Sequence, residues 1–120
     1  MFELSVCADF AASHMLRGYE GKCKNLHGHT WKVEVVLDGE ELNDTGMLVD
    51  FALVKKQLRG FLESLDHVHL NDLPAFKDVN PTTENIAGHI FEEFSKTCRP
   101  LVLKRVRVWE SDTSSVTYYH

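Results

Sequence analysis

His27-Gly28-His29 sets two imidazoles two positions apart. On an extended strand such residues share a face, so both rings can reach one metal ion. The glycine between them admits close backbone approach. His14 closes an earlier alternating segment, and if the two segments pair antiparallel its ring joins the other two. Three neutral imidazoles with a fourth position open are the donor set of a catalytic zinc. The plain alternative is surface or hydrogen-bonded histidines. Cys23 stands four residues before His27 between Lys22 and Lys24. Adjacent positive charge favours the thiolate. It can be a reactive thiol beside the metal, a fourth ligand in a closed structural site, or a loop thiol without a role.

Asp66-His67 is a second pairing with chemical potential, because a carboxylate beside an imidazole can fix its tautomer and raise its basicity. Neighbours in sequence need not face each other. The same residues also suit a helix C-terminal turn, where His67 and His69 meet the helix dipole and Asp66 is solvated. Glu110 ends an otherwise apolar segment, so it is either water-facing or aimed at a ligand with paired donors, such as an amino-pyrimidinone ring. Thr82, Thr83 and Glu84 read as the capped start of a helix, with Thr83 also a candidate ligand contact. Arg17, Lys22, Lys24, Lys104, Arg105 and Arg107 could meet an anion, but scattered cations are ordinarily solvated surface. Cys7 and Cys98 fall in apolar patterns and read as packing.

The elements that must position these residues follow from periodicity. Phe2, Leu4, Val6, Ala8, Phe10, Ala12 and His14 share one parity, predicting a strand over Phe2–His14. His27–Leu37 predicts a second strand, closed by Asp38-Gly39. Asp50 caps a helix whose Val54, Leu58, Phe61, Leu62 and Leu65 recur at three and four residues, with Phe51 and Leu53 placed on the same face. A second helix starts after Asn80-Pro81-Thr82-Thr83, carries Ile86, Ala87, Ile90, Phe91 and Phe94, and ends near Thr97. Leu101–Glu110 and Val116–Tyr119 are the last strands. The order ββααββ predicts an α+β fold, a four-stranded antiparallel sheet with two helices on one face. Exposed edges on so small a sheet predict an oligomer.

A chain of 120 residues with 43% hydrophobic and 26% charged residues suits one domain spanning 1–120. Eighteen acidic against thirteen basic residues, a formal charge of -5, disfavour nucleic acid as the partner. No stretch approaches the ~20 apolar residues of a membrane span. Three widely spaced cysteines and no leader-like start predict a reducing cytoplasm.

Assembled in order, Phe10-Ala11-Ala12-Ser13-His14, Cys23-Lys24-Asn25-Leu26-His27-Gly28-His29, Gly46-Met47-Leu48-Val49-Asp50-Phe51, Leu65-Asp66-His67, Asn80-Pro81-Thr82-Thr83-Glu84-Asn85 and Trp109-Glu110-Ser111 resemble the 6-pyruvoyltetrahydropterin and 6-carboxytetrahydropterin synthase family. The resemblance covers about Phe10 to Tyr118. It implies a tunnelling fold (T-fold) in which three subunit sheets close a barrel and two trimers stack into a homohexamer, with active sites between subunits. It further implies Zn2+ held by His14, His27 and His29, proton transfer by Cys23, Asp66 and His67, and pterin contacts from Glu110 and Thr83. The implied substrate is 7,8-dihydroneopterin triphosphate. Three residues between Cys23 and His27 and the short chain are similar to the bacterial carboxy-forming lyases of queuosine biosynthesis. Thr30 stands where relatives often carry Asn or Ser, a departure outside the metal set.

Overall fold

The computed structural model describes residues 1–21 and 25–120. Cys23, with Lys22 and Lys24, lies outside the described residues.

Strand β1 (Phe2–His14) pairs antiparallel with β2 (His27–Gly39) in an unbroken register from Phe2 opposite Gly39 to His14 opposite His27. Strand β4 (Val102–Ser111) pairs with β2, and β5 (Ser114–Tyr118) with β4, both antiparallel. The anticipated four-stranded sheet is present with one addition. Val68–His69 forms a two-residue strand, β3, parallel to β1 at Ala12 and Ser13, so the order is β3-β1-β2-β4-β5. Two residues are too few to leave a pattern in sequence; the pairing exists because the chain leaving the first helix is drawn along the β1 edge.

Helix α1 (Phe51–Leu62) is capped by Asp50, whose Oδ1 accepts from Ala52 N–H at 2.9 Å. It buries Val54, Leu58 and Leu62, while Phe51 and Leu53, assigned to the same face by periodicity, are exposed. Helix α2 (Thr83–Phe94) is capped by Thr82, which accepts from Asn85 N–H at 3.1 Å, and buries Ile86, Ala87, Ile90, Phe91 and Phe94. Capping falls to Thr82 alone. Thr83 is therefore free to bury its hydroxyl side inward.

Parity explains where the core ends and the chemistry starts. Leu4, Val6, Phe10 and Ala12 of β1, Trp31, Val33, Val35 and Leu37 of β2, and Leu103, Val106 and Val108 of β4 form one buried apolar layer under the helices. Continuing each strand by two residues on that face gives His14, His29 and Glu110. One bulge keeps β4 in phase. Lys104 is the extra residue where the β2 pairing steps from Arg105 to Leu103. Glu110 is the extra residue where the β5 pairing steps from Trp109 to Ser111, the kind of irregularity that re-aims a side chain.

Trp31, fully buried, joins the two regions. Its ring stacks on Phe10 at 6.0 Å, its indole N–H donates to Ala12 O at 3.3 Å, and its edge meets the rings of His14 and His29 at 4.9 and 5.1 Å. Trp31→Ala is expected to lower unfolding free energy by about 3–5 kcal/mol in urea titration, the usual cost of emptying a buried aromatic site. A loss below about 1 kcal/mol would mean that this junction is loosely packed.

Candidate metal centre

The unbroken β1–β2 register sets His14 opposite His27, with His29 two residues along. Together with Glu110 from β4 they bring four donor atoms within 4.8 Å of one another. His14 is almost wholly buried, and the other three are half-buried.

Backbone carbonyls fix the tautomers. His14 Nδ1 donates to Pro81 O at 2.8 Å and His27 Nδ1 donates to Asn25 O at 2.6 Å, since a carbonyl can only accept. In the neutral rings both Nε2 atoms then carry lone pairs, and these two nitrogens lie 2.9 Å apart. Glu110 Oε1 approaches His29 Nε2 to 3.0 Å and His14 Nε2 to 3.5 Å. The His29 contact is close in distance but poorly aligned for N–H donation, which leaves that buried nitrogen without a hydrogen-bond partner among the described residues. Burial holds both the His14 and the His29 imidazole below the usual histidine range, with the charge of Glu110 opposing it in each. Neutral rings are thus the favoured form near neutral pH, as metal ligation requires.

Converging lone pairs, an unpartnered nitrogen and a carboxylate make an electron-rich centre that a cation would satisfy. The residues fit a metal ion. Glu110 also reaches the other way, accepting from the Thr83 hydroxyl through Oε2 at 3.4 Å. The structure therefore brings His14, His27, His29, Glu110 and Thr83 together, and Glu110 stands near enough to the rings to serve as a fourth donor.

A sequence profile described as "PTPS: 6-pyruvoyl tetrahydropterin synthase" matches residues 3–120. The chain belongs to this family. It is 41% identical over 102 residues to the human 6-pyruvoyl tetrahydrobiopterin synthase, covering 82% of this chain and 70% of that one. It is 36% identical to the 6-carboxy-5,6,7,8-tetrahydropterin synthase of Synechocystis sp., covering 92% and 87%. A dihydroneopterin monophosphate aldolase of Pyrococcus furiosus is 40% identical, covering 91% and 90%. The solved 6-pyruvoyl tetrahydropterin synthase of Caenorhabditis elegans superposes with a TM-score of 0.87 at 31% identity, covering 99% and 95%. The α+β tunnelling fold of the PTPS family is thus the architecture of this pterin synthase family member.

Asp66 and His67 sit apart from the donor group, on the outer edge of β1. Asp66 Oδ1 accepts from Ala11 N–H at 2.8 Å, His67 N–H donates to Ala11 O at 2.6 Å, and Asp66 Oδ2 meets His67 Nδ1 at 2.9 Å. The two neighbours do face each other. A left-handed backbone at His67, φ 56°, makes this possible, and the ring is 82% exposed. Sequence reasoning overlooked the carbonyls of Pro81 and Asn25 as orienting groups; the proline just before a helix cap was the available signal for the first. The alternative of a helix-end role for His69 gives way to a sheet-edge one, its Nδ1 pairing with Ser13 Oγ at 3.0 Å.

Chelator-stripped protein is expected to take up about one divalent ion per chain, since the described residues offer one group of converging donors. His14→Ala, His27→Ala and His29→Ala should each abolish that uptake in metal analysis after dialysis; full uptake by all three would remove the centre. A second expectation concerns acid. The Ala11 N–H, and then His67, hold the Asp66 carboxyl below its usual range. A depressed folded-state pKa contributes stability above the unfolded value of about 3.9 and loses it as pH falls through the lower folded value. The Tm gap between wild type and Asp66→Ala should therefore be widest near neutral pH and narrow below about pH 4. A gap independent of pH would show that the charge contributes nothing.

Proposed function

We propose that this pterin synthase family member is a zinc-dependent lyase that, with water, converts 7,8-dihydroneopterin triphosphate into 6-carboxy-5,6,7,8-tetrahydropterin, acetaldehyde and triphosphate, as in queuosine and related deazapurine biosynthesis. The observation that carries the reading is the convergence of His14, His27, His29 and Glu110 where the core face of the sheet runs out. His14, His27 and His29 would hold the zinc. A metal ion there supplies Lewis acidity to the hydroxyls of the substrate side chain, acidifying the neighbouring carbon-bound proton.

The remaining roles belong to the chain's own groups. Glu110 binds the paired N–H donors of the pterin ring, and the Thr83 hydroxyl holds that carboxylate in place from the other side. The Cys23 thiolate, flanked in sequence by Lys22 and Lys24, takes the carbon-bound proton. Asp66 orients His67 through the 2.9 Å contact, and the pair passes protons to and from the thiol. The exposure of His67 suits an active site completed by a neighbouring subunit, in an assembly of two stacked trimers. We place the reaction in the cytoplasm, within one unit spanning 1–120 and with neither nucleic acid nor membrane as a partner. Among the described residues no helix is long and apolar enough to cross a membrane.

The human relative gives the pyruvoyl-forming reading on the same substrate specific support, and the Pyrococcus relative does so for aldolase chemistry. The Cys23–His27 spacing favours the carboxy branch, and the presence of Cys23 argues against the aldolase. The zinc-loaded protein is expected to release acetaldehyde together with carboxytetrahydropterin. Cys23→Ala should lose about 10²–10⁴-fold in turnover with unchanged zinc content, the usual contribution of a positioned base. A pyruvoyl product without acetaldehyde transfers the protein to the sister activity. Cleavage of dihydroneopterin monophosphate alone transfers it to the aldolases. Loss of zinc and of fold in Cys23→Ala, with no turnover in the wild type, marks a zinc-stabilised binding domain instead.

A further inference from the structure

The segment leaving β1 after His14 is tied down by asparagine side chains that imitate a neighbouring strand. Asn71 Oδ1 accepts from Met15 N–H at 3.0 Å while its Nδ2 donates to Met15 O at 2.9 Å. Two residues on, Asn80 repeats the pattern: Oδ1 accepts from Arg17 N–H at 2.8 Å and Nδ2 donates to Arg17 O at 2.7 Å. In each case one side-chain amide meets both the N–H and the C=O of a single residue beyond the end of β1.

Asn80 differs from Asn71 in what it is joined to. Its own carbonyl accepts from Asn85 Nδ2 at 2.9 Å, and the next carbonyl along, that of Pro81, receives the His14 Nδ1 proton at 2.8 Å. The Arg17 guanidinium secures the same stretch, donating to Phe76 O and to Val79 O at 2.9 Å. Held at its side chain and at its carbonyl, Asn80 fixes the peptide before Pro81, and the proline ring fixes the next φ, so only ψ of Pro81 is left to turn its carbonyl.

We propose that Asn80 is a positioning residue for the metal centre: by locking the 15–17 segment to the entry of α2 it aims the Pro81 carbonyl at His14 and thereby fixes which His14 nitrogen faces the metal. The inference rests on the metal reading given above. Groups that orient a ligating imidazole typically contribute about 10–100-fold to metal affinity. Helix capping is a separate matter, since Thr82 performs it.

The test uses the full chain and Co2+ as a spectroscopic stand-in for zinc, titrated into chelator-stripped protein. Wild type is expected to bind with the absorption bands of a low-symmetry four-coordinate site. Asn80→Ala should bind about 10–100-fold more weakly with altered band positions, while its apo circular dichroism stays that of the wild type. Asn80→Asp, which keeps the acceptor for Arg17 N–H and loses the donor to Arg17 O, should fall between them. Thr82→Ala is the stability control: it removes the cap and about 1 kcal/mol of stability, yet should keep wild-type affinity and bands. Asn80→Ala matching Thr82→Ala in both readouts overturns the positioning role alone. No Co2+ binding by the wild type overturns that role together with the metal reading.

Discussion

Two neutral imidazoles cannot comfortably hold their lone pairs head to head, and the polar end of this molecule is arranged around that constraint. His14 and His27 each donate an Nδ1 proton to a main-chain carbonyl, which obliges their Nε2 atoms, 2.9 Å apart, to present electron density to one another. A carboxylate oxygen and a third nitrogen, unpartnered among the described residues, close in on the same point. Groups so placed repel unless a cation lies among them, which is what makes the arrangement suit a metal ion. The same packing that buries His14 also disfavours its protonated form, which keeps the centre open to a metal rather than to protons.

Rigidity for this arrangement comes from the apolar layer directly beneath it. Trp31 fills the space under two of the rings and is itself pinned by stacking on Phe10 and by its bond to Ala12 O. The transition from core to site is therefore a matter of two residues per strand: Ala12 to His14, Trp31 to His29, Val108 to Glu110. Sites built on paired strands are held more closely than sites built on loops. The price is that β4 must arrive in phase, which the bulge at Lys104 achieves.

Polar chemistry at the β1 edge follows a different principle. There the backbone groups of residues 11, 15 and 17 are satisfied mainly by side chains of Asp66, Asn71 and Asn80 rather than by a long strand. Such substitution terminates pairing along this stretch without leaving buried donors unmet. It also joins three separate loops to the strand that carries His14, so that the pair Asp66–His67 and the Pro81 carbonyl are both referred to one backbone.

Local pattern was enough to determine the strands, the helices, the Asp50 and Thr82 caps and the candidate donors, because alternation, helical spacing and His-Gly-His are properties of near neighbours. The antiparallel pairing of the two alternating segments was legible in the same way, but the register that sets His14 opposite His27 was not, since a slip of two residues would bury the same apolar faces. Tertiary structure alone decided what each donor would face. The Pro81 carbonyl lies 67 residues from His14, the Asn80 amide 63 residues from Arg17, and the Asp66 carboxylate 55 residues from Ala11. The two-residue strand β3, the bulge that aims Glu110 and the exposure of Phe51 and Leu53 likewise depend on which surfaces meet. Periodicity tells a chain which face to bury, whereas tautomers, hydrogen-bond partners and bulges are set by groups distant in sequence that come together only when the sheet and helices have packed.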